Sequence, residues 1–203
     1  IRELRKVGFR VWIKDHSIDL APVVCVIAQS EQLTYTPCAS CASFDVEYAV
    51  SHALMEVEAL VLSRFQNGPA KPIKPREVIW PLDHGRLYGQ RRYFHCADFL
   101  MSGHDKIAFQ DIGKDVVRSW QELLSRFEAK GLRLFTISLY LSDEYGGNGN
   151  LHITRSIVPG MVPMTFGYKQ EPGGMDRIYA IAHELGNREL LYRELTKFPH
   201  PFA

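Results

Sequence analysis

The sequence lacks most features that assign a chain at sight. It has no apolar stretch approaching the roughly 18–20 residues that cross a bilayer, which argues against a membrane-spanning helix. Its opening residues, IRELRKVGFR, carry charged clusters and no apolar segment, so they do not read as a secretory signal. The first residue is Ile1 rather than Met, which raises the expectation of a longer protein. Cysteine is scarce. Cys25, Cys38, Cys41 and Cys96 are too few and too unevenly placed for a secreted disulfide framework, so a reducing cytoplasm is the expected setting. An excess of one charge is missing too. With 24 Lys and Arg against 23 Asp and Glu, the net charge of +1 gives no electrostatic reason to expect nucleic acid or a membrane surface as partner. No G-x-x-x-x-G-K-[ST], G-x-G-x-x-G or G-x-S-x-G occurs, and there is no internal repeat or low-complexity tract.

What is present is ordinary globular material. A chain of 203 residues is one large domain or two small ones, and 46% hydrophobic with 23% charged residues is typical of a folded protein. FRVWIKD (9–15) alternates like a half-buried strand, and PVVCVIAQ (22–29) reads as a buried one. Ala49, Ala53, Leu54, Val57, Leu60 and Val61 repeat at three and four within 46–65, a helix for which Asp45 is the expected N-cap. Residues 66–81 hold four prolines and form a Pro-rich loop. No clear core pattern follows over 82–110. A second helix is expected over 113–131, with Val116, Val117, Trp120, Leu123, Leu124 and Phe127 as its stripe and Gly131 as its stop. Strands over 132–142 and 151–159 flank the turn cluster DEYGGNGN, and a last helix covers about 176–196. This order predicts α/β packing.

The chemistry-bearing residues are few. Cys38 and Cys41 form a C-x-x-C pair, but structural zinc needs two such pairs, and a redox dithiol needs a position at a helix terminus. Buried thiols are the simpler reading. Glu47, Glu56 and Glu58 fall on the first helix, where carboxylates ordinarily form the solvated face. His52 lies four residues before Glu56 and can pair with it. Asp83-His84, expected on a loop, is a weak acid–base couple with no nucleophile signal beside it. The glycines of YGGNGN precede a strand, which argues against a phosphate cradle.

Four stretches in order resemble the second half of a YcaO-domain protein, in particular the cyclodehydratases of thiazole/oxazole-modified peptide biosynthesis. They are CASCASFDVEYAVSHALMEVEAL, PLDHGRLYG (similar to a D-H-x-x-x-Y segment), GLRLFTISLYLSDEYGGNGNLHITRSIVPGMVPMTFG, and the Pro-rich end FPHPFA over 197–203. The resemblance implies a YcaO-like α/β fold, a mixed sheet with packed helices, of which residues 1–203 are the C-terminal portion. It makes TPCASC a small-residue approach to a helix. It implies a cytoplasmic, ATP-dependent enzyme with Mg²⁺, most of whose nucleotide ligands lie outside this chain. In that chemistry Cys, Ser or Thr of a ribosomal precursor peptide adds to an amide carbonyl. The resulting oxygen is phosphorylated and leaves, giving a thiazoline or oxazoline. A leader-binding or dehydrogenase partner, and a homodimer, are further implications. The resemblance places Pro199, His200 and Pro201 at the catalytic tail, and His52, Glu56 and Arg155 on the nucleotide side. His52 stands where the family has Arg, Ala59 where it has Gln, and Ala203 where it has the last Pro. These departures also fit an inactive scaffold that docks a precursor peptide or partner enzyme.

Overall fold

The computed structural model describes residues 1–103, 106–142, 151–188, 191–196 and 198–202. A short helix α1 (Arg2–Lys6) leads into an antiparallel sheet of β1 (Arg10–Asp15), β2 (Val23–Gln29) and β3 (Cys38–Ala42), in that spatial order. Side chains alternate across a strand, so the central β2 splits its apolar run between two layers. Val24, Val26 and Ala28 face one way, and helix α2 (Val46–Asn67) covers them with Ala49, Ala53, Val57 and Val61. Cys25 and Ile27 face the other way, against Cys38, Leu100 and Phe202. A strand buried on both faces is why residues 23–28 show no polar alternation.

Helix α2 starts as its sequence predicts, with Asp45 Oδ1 accepting from the Tyr48 N–H at 3.1 Å. The sequence reading needs correction at four other places. Residues 38–42, read only as a small-residue approach to α2, form the edge strand β3. Residues 82–110 are largely helical: α3 (Pro81–Tyr88), α4 (Arg91–Phe94) and a 3-10 stretch, His95–Met101. Their core is shared with the tail, so it leaves no local periodicity. The second long helix begins at Trp120, not 113: α5 is Trp120–Ala129, N-capped by Ser119. The preceding segment is pulled onto the sheet instead. Gly113 donates to Asp15 Oδ2 at 2.9 Å and Val117 donates to the Leu20 carbonyl at 3.0 Å, so Val116 and Val117 are buried without being helical. The last helix, α6 (Asp176–Glu184), stops at Gly186 in the left-handed region, φ 77°.

Strands β4 (Phe135–Ser142) and β5 (Leu151–Ile157) form a second antiparallel sheet, with Phe135 opposite Ile157 and Ile137 opposite Arg155. The turn expected between them, 143–150, lies outside the described residues. An ion cluster ties the helices to the β1–β2 turn. Asp19 holds Arg177 at 2.7 Å and Lys130 at 3.1 Å, and Lys130 also reaches Glu184 at 3.3 Å. Asp19 raises the Lys130 ammonium above its usual range, chiefly by hydrogen bonding.

Candidate functional site: the docked tail

Pro81 opens α3 at a position where no backbone donor is needed. Asp83 then closes the first turn. Its Oδ2 accepts from the N–H groups of Trp80 at 3.0 Å and Ile79 at 3.2 Å, and its Oδ1 accepts from Arg86 at 2.8 Å. The Trp80 bond leads the causes that hold this carboxyl below the usual aspartate range. The acid–base couple on a loop is thereby corrected: Asp83 is a helix cap. His84 and Tyr88, four residues apart on the same helix face, turn inward. His84 is fully buried.

Both meet the C-terminal tail. The Tyr88 hydroxyl donates to the Pro199 carbonyl at 2.5 Å, and His84 Nδ1 lies 2.6 Å from the His200 carbonyl. His84 Nε2 lies 3.0 Å from the Gly167 N–H. A backbone N–H only donates and a carbonyl only accepts, so the network assigns the proton to Nδ1 and the lone pair to Nε2. Burial lowers the His84 pKa, which keeps the ring neutral. His200 stacks on it with centroids 4.3 Å apart and sends Nε2 to the Thr165 carbonyl at 2.7 Å. Its Nδ1 is buried with no partner.

Side chains complete the docking. Pro199 is fully buried and Pro201 is buried. Phe198 packs on Tyr88 and Tyr93, while Phe202 enters the cluster of Cys25, Ile27 and Cys38. The Cys38 thiol faces the Pro201 carbonyl at 3.7 Å. A cleft of about 530 Å³ opens beside the tail, lined by Tyr88, Cys96, Phe99 and His200 among others.

The residues expected on the nucleotide side are split. His52 Nε2 and Glu56 Oε1 are 3.2 Å apart on α2, both part-exposed, with Tyr48 stacked on the imidazole. Arg155 is exposed on β5, in the second sheet. The cysteine pair is separated by the strand that carries it: Cys38 is buried in the tail cluster, and Cys41 is half-buried beside α2. Burial pushes the Cys38 thiol far above its usual range. Among the described residues no group of three or more His, Cys, Asp and Glu side chains is placed to hold a metal ion.

The sequence model described as YcaO cyclodehydratase, ATP- and Mg²⁺-binding, matches residues 1–162. The chain belongs to the YcaO family. Two solved structures share this fold. One, described as a heterocyclase in complex with substrate and cofactor, aligns at TM-score 0.70 and 17% identity over 99% of this chain. The other, the heterocyclase TruD, aligns at TM-score 0.65 and 19% identity over 99% of this chain. The YcaO chain described here spans 26% of the length of each. No curated protein matches it.

Sequence reasoning missed the roles of His84 and Tyr88. The available signal was their spacing: a histidine and a tyrosine four apart, in a segment opened by Pro81, put two polar groups on one helix face. Only the fold shows that this face meets residues more than a hundred positions later.

Proposed function

We propose that this chain is the C-terminal part of a YcaO-type cyclodehydratase, converting Cys, Ser or Thr of a ribosomal precursor peptide to thiazoline or oxazoline at the expense of ATP. Family membership supports the reaction class, and the docked tail supports a defined end to the site. That tail is the single observation that carries the reading. A proline-rich segment that is solvent-exposed needs no hydrogen-bonded anchorage, whereas this one is fixed through its carbonyls on helix α3 and the thiol of β3. Two of its three expected site residues, Pro199 and Pro201, act by shaping it, because proline limits backbone freedom. His200 lines the cleft, while its unpaired ring nitrogen Nδ1 is itself buried.

The described residues do not by themselves complete a site for ATP and Mg²⁺. His52 and Glu56 satisfy each other, no carboxylate cluster accompanies them among the described residues, and Arg155 stands on another sheet. In this reading Glu56, with His52 and Arg155 as weaker contributors, borders a nucleotide held by groups outside this chain. The same self-satisfied pair favours the second reading, a peptide- or partner-docking scaffold without turnover.

Calorimetry separates the two. Mg²⁺ and ATP are titrated into this chain alone and into the longer protein that contains it. Binding by the longer protein only, weakened several-fold by Glu56→Gln, is the result the enzyme reading expects. Absence of nucleotide binding in both, with precursor peptide still bound, refutes it in favour of the scaffold.

A further inference from the structure

The tail and the loop at 165–167 are held by one imidazole. His84 donates to the tail at the His200 carbonyl and accepts from the loop at the Gly167 N–H. His200 crosses between the same two segments, its ring against His84 and its Nε2 on the Thr165 carbonyl. Phe166 meets both rings edge-on, at 5.5 Å from His84 and 5.4 Å from His200. Tyr88 adds the Pro199 carbonyl from the same helix face. Neither segment has regular secondary structure of its own; these bonds join the two directly, while the Tyr168 N–H on the Val78 carbonyl at 2.9 Å holds the loop, and Phe198, Phe202 and Cys38 hold the tail, to other parts of the fold.

We propose that His84 and Tyr88 are positioning residues forming a latch that fixes the C-terminal tail and the 165–167 loop as one unit, and that protonating His84 opens it. A second proton on His84 must go to Nε2, the atom that accepts from Gly167. The imidazolium then presents N–H to N–H and the loop bond is lost. The charged groups facing His84 do not relieve this. Asp83, its neighbour on α3, has its oxygens taken by Ile79, Trp80 and Arg86, and His200, from the tail, is itself titratable and stacked against it. The tail's functional consequence rests on the cyclodehydratase reading above, but the latch does not.

The test uses the intact chain and the hydrogen exchange of the Gly167 amide, followed by NMR with correction for intrinsic rates. Tyr88→Phe removes one hydroxyl that bonds the tail and not the loop. The latch predicts that exchange at Gly167 nevertheless speeds up about fivefold to tenfold. In wild type, protection falls as the solution is acidified through the His84 titration. His84→Gln places a carbonyl toward Gly167 and an amide toward the His200 carbonyl but cannot be protonated, so its protection persists in acid. Imidazole ¹⁵N shifts of wild type give an independent check: His84 carries its proton on Nδ1. Unchanged Gly167 exchange in Tyr88→Phe, equal acid sensitivity in His84→Gln, or a proton on Nε2 overturns the proposal. In the longer protein, both variants lower kcat on a precursor peptide while leaving the KM for ATP within twofold. Loss of that effect with the NMR signatures intact refutes the cyclodehydratase role of the tail, not the latch.

Discussion

Replacing Asp83 tests the base of the whole site, because the helix it caps carries His84 and Tyr88. Its carboxylate accepts two backbone N–H bonds and one from Arg86, and is nearly buried. A helix-capping side chain contributes roughly 1 kcal/mol, and hydrogen bonds to a charged group about 1.5–3 kcal/mol before exposure is discounted. Arg86 is part-exposed, so its share is small. Asp83→Ala therefore costs about 2 kcal/mol, and at roughly 2–4 °C per kcal/mol for a chain of this size Tm falls by about 4–8 °C. The dependence on pH has a definite sign. The folded pKa lies below the unfolded value, so the carboxylate's contribution is complete above the ordinary aspartate range, near about 3.9, and is lost as pH falls through the lower folded value. Thermal unfolding followed by circular dichroism at neutral pH and at about pH 3 reads both effects. The gap between wild type and Asp83→Asn should be widest at neutral pH and shrink in acid. A Tm change under about 1 °C for Asp83→Ala, or a gap that ignores pH, would refute the capping argument.

Two other positions give sharp outcomes. Gly113→Ala places a Cβ 2.8 Å from that of Pro22 at a residue with φ 60°, so strain and overpacking together destabilise by about 2–4 kcal/mol, measurable by urea unfolding. A loss below about 0.5 kcal/mol would show that residues 113–119 do not lie on the β1–β2 turn as described. Thiol labelling of the native chain at neutral pH should modify exposed Cys96 rapidly and Cys41 more slowly, leaving Cys25 and Cys38 unreactive until denaturant is added. Rapid labelling of Cys38 would mean the tail does not cover it.

Local signals in the sequence identified the elements whose cores are local. The alternation of β1, the small-residue face of α2 and the β2 face it covers follow largely from contacts within the first 61 residues, while the other face of β2 meets Leu100 and Phe202. The errors share one cause. Val116 and Val117 carry a helical spacing, yet Asp15 and the Leu20 carbonyl draw that segment onto the sheet, a tertiary contact that overrides propensity. Residues 82–110 lack periodicity because their apolar side chains pack against Ile73 in the preceding loop and Phe198, about a hundred positions later. The C-x-x-C pair read as buried thiols rather than a metal site, and the strand shows what spacing alone could not: residues three apart point to opposite faces, leaving Cys38 buried and Cys41 half-buried.

The site follows the same rule and sharpens it. His84 and Tyr88 were legible as neighbours, and Pro199, His200 and Pro201 as a stiff tail, but no local pattern links the two sets. The link is stoichiometric. A buried neutral imidazole has one donor and one acceptor, and a phenol has one donor. The carbonyls of Pro199 and His200 and the N–H of Gly167 match those three groups one for one. Had either side chain been apolar, a tail carbonyl would be buried without a partner, at a cost of about 1–3 kcal/mol. The D-H-x-x-x-Y pattern is thus accounted for without assigning any of its residues to proton transfer: Asp83 starts the helix, and His84 and Tyr88 hold the end of the chain.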